Sequence, residues 1–189
     1  MLNWKRSSDK PQITLHEFDR NSPLLSFATR VYCKTWGHPW YVAYNFISQY
    51  ARYPGFVGVV ATTETGKVVA MGFGADAFEG NWWFDHVQRA VGTNHPQLED
   101  AWVLVELSVL KRYRDCGVGT RIIQYLLSHQ SRRHILLSTQ VTNTGARRLY
   151  ERFGWIYLHD GLIFAANQEP YVIMCKDQRG TDGVKEKDK

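Results

Sequence analysis

The 189-residue chain predicts a single α/β domain built on a mixed sheet, and three observations support this. Stretches with strand and helix patterning follow one another in the order β-α-α-β-β-β-α-β-α-β-β, which suits a layered sheet with helices packed on it. The length suits one closed core. A glycine-containing turn, Arg114-Asp-Cys-Gly-Val-Gly-Thr120, joins the strongest strand pattern to an amphipathic helix pattern.

The elements follow in order. Residues 1–11 read as a flexible leader, and 12–18 alternate as a first strand. Ser22-Pro23 supplies a helix start, with Ser22 as cap and Pro23 at the first helical position, and helical spacing then runs from Leu24 to Trp36 before Gly37. A second helix is expected over 39–52, ahead of Pro54-Gly55. Segments 56–61 and 67–75 are rich in β-branched residues, and Glu64-Thr65-Gly66 joins them as a hairpin. Residues 79–99 read as irregular, with a short helix somewhere in 84–91. A strand at 102–110, a helix at 117–129, a strand at 135–141, a helix around Tyr150, and strands at 155–164 and 171–176 complete the domain, 12–176. The polar residues 177–189 are expected to be a disordered tail.

The turn at 114–120 is the most informative stretch. A helix that opens on glycine leaves its first backbone N–H groups unpaired, and with the helix dipole these make an anion site. Gly117 and Gly119 allow the main chain to approach a ligand closely. Two familiar phosphate loops do not fit. A P-loop needs Gly-Lys-Ser/Thr, whereas Gly119 precedes Thr120 and Arg121; a dinucleotide fingerprint needs a third glycine where Ile122 stands.

What remains, Arg-x-x-Gly-x-Gly after Glu106-Leu-Ser-Val-Leu110, resembles the acetyl-CoA pyrophosphate loop of the GNAT superfamily of N-acetyltransferases. A second stretch, Asn143-Thr-Gly-Ala-Arg-Arg-Leu-Tyr150-Glu-Arg-Phe-Gly-Trp155, resembles that family's other signature. Read on its own, it is a short amphipathic helix with Asn143 as N-cap, Gly154 after its end and Tyr150 on the apolar face. Together the two signatures and their strands cover roughly 101–175. The resemblance implies the family fold with splayed central strands, acetyl-CoA as cosubstrate, and direct transfer to a primary amine. A small-molecule amine is the expected acceptor. A peptide or protein amine, or a non-catalytic acyl-CoA-binding module, are the alternatives.

The implied chemistry distributes roles among residues. Coenzyme contacts fall to Arg114, Cys116, Gly117, Val118, Gly119 and Thr120 at the pyrophosphate, to Leu107, Ser108 and Val109 on the strand, and to Asn143 and Tyr150. Backbone N–H groups of 107–109 would polarise the thioester carbonyl. Tyr150 faces the departing sulfur; a phenol near pKa 10 protonating a thiolate near 8.5 is uphill by about 2 kcal/mol, so hydrogen bonding serves as well as full transfer. An alkylammonium is only ~0.1% neutral near pH 7.4, so a base helps, and Glu106 is the candidate. The family often places basic groups two or more positions upstream, where this chain has Val103 and Val105. Trp82 and Trp83, beside Asp85 and His86, suit cation–π recognition of an amine, and His38 is a further substrate candidate.

Composition fits this reading. The net charge of +5 is spread along the chain rather than gathered in a stripe, which disfavours nucleic acid as the main partner. No apolar run reaches membrane-spanning length. Three cysteines without C-x-x-C spacing, and an N-terminus without a signal peptide, fit a cytoplasmic protein. Seven histidines show no ligand spacing, so no metal is expected, and a homodimer is compatible with all of this.

Overall fold

The computed structural model describes residues 11–179; the expected leader and most of the expected tail lie outside the described residues. Seven strands hydrogen-bond in the order β1-β2-β3-β4-β5-β7-β6, a mixed sheet. The chain packs as two compact units. One is Met1–Ala75 with Val105–Gln130, the other Asp76–Leu104 with Ser131–Lys189.

In the first unit, β1 (Ile13–Phe18) pairs antiparallel with β2 (Val57–Thr63), and β2 pairs antiparallel with β3 (Val68–Asp76). Gly66, at φ 74°, makes the turn between β2 and β3, its N–H donating to Thr63 O at 2.8 Å. Helix α1 (Leu24–Trp36) begins where the Leu24 N–H donates to Ser22 Oγ at 3.2 Å, as the sequence predicts. It stops at Gly37, whose left-handed φ of 75° lets its N–H reach Cys33 O at 2.8 Å. Helix α2 (Trp40–Tyr50) follows Pro39. Phe18, Leu25, Val31, Ile47, Met71 and Phe73 form one core cluster. Helix α4 (Val118–His129) turns Val118, Ile122, Ile123 and Leu126 inward. It lies so close over β3 that a Cβ on Gly72 would stand 2.6 Å from Ile122 Cγ2, so only glycine fits there.

In the second unit the short helix expected within 84–91 is α3 (Trp82–Val91), which starts two residues earlier. Asn81 caps it, its Oδ1 accepting from the N–H groups of Trp83 at 3.1 Å and Phe84 at 3.2 Å. Phe84 and Val87 face inward from it while Trp82 is exposed. Strand β4 (Ala101–Val109) pairs in parallel with β5 (His134–Gln140) over three pairs only, Ala101↔His134 to Val103↔Leu136. That ladder is shorter than either strand, in keeping with splayed central strands. β7 (Tyr171–Asp177) pairs with β5 along all seven residues, and β6 (Ile156–Leu162) lies outside it. Asp177 closes β7 rather than opening a tail: its carboxylate accepts from Arg133 Nη2 at 2.9 Å, which holds it down to about 2. Helix α5 is Thr144–Arg152. No described helix is long and apolar enough to cross a membrane.

Candidate active site

The glycine loop is assembled in the first unit by main-chain geometry. After β4 a single 3₁₀ turn, Lys111–Tyr113, reverses the chain. Arg114 folds back so that its Nε donates to Val109 O at 3.0 Å, which anchors the loop to the strand end. Asp115 takes a left-handed φ of 60°, and Cys116 Sγ donates to Arg114 O at 3.2 Å. Gly117 (φ 82°) then serves as N-cap of α4, and the space where a Cβ would stand is open. No side chain caps α4 and no acid lies in its first turn. The N–H groups of Val118, Gly119 and Thr120 therefore keep the donor capacity that the first turn of a helix cannot use internally. With the positive dipole end, this geometry is suited to an anion.

Glu106, on β4 in the same unit, is the most perturbed carboxyl group of the chain's described residues that retains a chemical use. Its Oε1 accepts two hydrogen bonds, from Ser108 Oγ at 2.8 Å and from the Trp36 indole Nε1 at 3.2 Å. Ser108 shares its strand face because two residues restore the same side. Desolvation raises the Glu106 carboxyl to about 7, against the opposing effect of bonds from Ser108, Trp36 and the Leu107 N–H. His38 lies between α1 and α2, exposed and stacked on Tyr32 with ring centres 5.6 Å apart.

The second unit carries the other predicted residues. Tyr150 is buried on α5, its ring edge-on to Trp155 at 5.6 Å. Asn143 caps α5 by accepting from the Ala146 N–H at 3.3 Å, so its side chain has a structural task. The two tryptophans differ. Trp83 is partly buried and its indole donates to Ser138 Oγ at 2.9 Å, which ties α3 to β5. Trp82 is 58% exposed and packs on His86 at 4.5 Å and on Phe164 at 5.5 Å. Asp85 accepts from the Gly80 N–H at 2.9 Å and so belongs to the helix start. Among the described residues no group of three or more His, Cys, Asp or Glu could hold a metal ion.

Two participants were invisible in the sequence reading. Trp36 reads there only as the end of a helix, and nothing local points to Glu106, 70 positions away. Phe164, which gathers Trp82, His86 and Tyr171 around it, has no local signal either.

The comparisons with known proteins agree with this geometry. The acetyltransferase (GNAT) family profile matches residues 22–155, more than half of the chain. The chain is 27% identical over 124 residues to a GCN5-like protein acetyltransferase of Mycobacterium tuberculosis, a match covering 60% of each protein. It thus spans about three-fifths of the length of that curated relative. Among solved structures, the NatC complex bound to Gag peptide and CoA gives a TM-score of 0.61 at 16% identity, covering 88% of this chain and 98% of that one. A GNAT-family acetyltransferase from Bacillus cereus gives 0.63 at 14% identity, covering 88% and 97%. At these identities the likeness is one of fold. The family profile, both signatures and the sheet lead to one conclusion: this chain belongs to the acetyltransferase (GNAT) family.

Proposed function

We propose that the protein is an acetyl-CoA-dependent N-acetyltransferase that transfers the acetyl group directly to a primary amine of a small molecule. The observation that carries the reading is Glu106, a desolvated carboxyl poised at about 7 in the unit that also carries the uncapped glycine loop. In the proposed step the amine nitrogen attacks the thioester carbonyl carbon, a C–N bond forms and the C–S bond breaks. Both side-chain donors sit on Oε1 of Glu106, so Oε2 takes the amine proton. Backbone N–H groups of the loop hold the pyrophosphate, and main-chain N–H groups of the 107–109 segment of β4 polarise the carbonyl. A base near 7 stays largely ionised at pH 7.4 yet is a stronger acceptor than an ordinary carboxylate.

The test is thiol release from acetyl-CoA across a library of primary amines, followed by a pH–rate profile for any acceptor found. Activity should rise through about pH 7, and Glu106→Gln should lower the single-turnover rate roughly 10²-fold and remove that limb. An unaltered limb in Glu106→Gln would exclude it as base. The name of the mycobacterial relative supports a second reading, a protein amine as acceptor. Faster thiol release with lysine or N-terminal peptides than with any small amine would select it.

A further inference from the structure

We propose that Trp36 is a positioning residue: its indole N–H anchors the Glu106 carboxylate in the orientation from which it takes the acceptor's proton. The proposal rests on the reading of Glu106 as base.

The geometry is specific. A single donor fixes where a carboxylate oxygen lies, and a second, arriving from another direction, fixes the plane of the group. Here the two come from different elements, Ser108 from β4 itself and Trp36 from the last turn of α1. Trp36 is in turn held at a defined place. The helix ends on the left-handed Gly37, whose N–H closes onto Cys33 O, and Thr35 Oγ1 donates to Val31 O at 3.0 Å just before it.

Core packing does not account for a tryptophan at this position, because it is 47% exposed. A half-exposed indole can give its N–H to water. This one gives it to the carboxylate, and a donor to an ionised acceptor makes the stronger class of hydrogen bond. The surroundings make that bond matter. The bonds that favour the ionised form of Glu106 come from neutral donors, Ser108 Oγ and the Trp36 indole, with the Leu107 N–H adding to them. These donors oppose the loss of hydration, and losing one leaves the ionised carboxylate less supported.

The test replaces Trp36 by Phe, which keeps the ring and removes the N–H. Two readouts are followed: the carboxyl ¹³C NMR titration of Glu106, assigned through Glu106→Gln, and the acid limb of the pH–rate profile. The expected result is that both midpoints rise together by about half a unit to one unit. The transfer rate should then fall roughly three- to tenfold at pH 6 and converge with wild type above pH 9, with acetyl-CoA affinity unchanged. Trp36→Leu repeats the experiment with a differently shaped apolar group, so a folding defect in one variant does not decide the matter. If both midpoints stay in place while Glu106→Gln still abolishes the limb, the positioning role is overturned and the base assignment stands. If Glu106→Gln leaves the limb intact, or the NMR midpoint moves without the limb, Glu106 does not govern transfer and both readings fall.

Discussion

The two compact units build their candidate groups from different materials. In the first, the candidate groups are main chain, the Gly117 turn and the first N–H groups of α4, together with one desolvated carboxyl on β4. In the second, they are side chains held by other side chains: Trp82 against Phe164 and His86, Trp83 on Ser138, and charged residues tied off in pairs such as Arg132 with Asp76 and Asp100. A backbone site binds what every turnover shares, a phosphate group, and tolerates changes in neighbouring side chains. A side-chain site is easily altered, and suits the part of a reaction that varies between relatives, the acceptor.

Substitutions can break this contrast. The largest effect is expected from Thr120→Glu. An acid in the first turn of α4 favours the helix dipole, so Tm should hold or rise slightly, while acetyl-CoA affinity falls about 10²-fold by repulsion of the pyrophosphate. Equal affinity by calorimetry would remove the anion site from the loop. Glu106→Gln comes next, now read as stability. Because burial raises the folded carboxyl to about 7 from an ordinary 4.5, the folded state favours the protonated form. The contribution of Glu106 to stability is therefore full below pH 4.5 and is lost as pH rises through about 7. Wild type should lose up to about 3 kcal/mol between pH 4.5 and 8 from this group, and Glu106→Gln should be spared that loss. Urea titrations in which wild type and Glu106→Gln show the same shift of midpoint between the two pH values would contradict it. The smallest effect belongs to the second unit: Trp83→Phe, losing only the bond to Ser138, should cost about 1 kcal/mol and leave acetyl-CoA affinity unchanged.

The same contrast explains what the sequence made legible. Gly117 and the Asn143–Tyr150 helix were readable because their structural tasks are local: a left-handed cap, and an Asn accepting from a residue three positions on. Ser22, Gly37 and Gly66 were readable for the same reason. Glu106 stood out as a carboxylate in an apolar strand, but its bond to Trp36 spans 70 positions and has no local trace. The Trp82–Phe164 contact is likewise set by how distant strands pair. Helix α3 was legible in part, as a short helix within 84–91, and its start at Trp82 is set by the Asn81 cap.

The most direct test of the account is calorimetric titration of acetyl-CoA into the wild-type chain at pH 7, with free CoA and ATP as comparisons. The account predicts micromolar binding of acetyl-CoA, similar binding of CoA and much weaker binding of ATP. No heat with acetyl-CoA, or equal affinity for ATP, would contradict the assignment of the glycine loop on which the proposed activity rests.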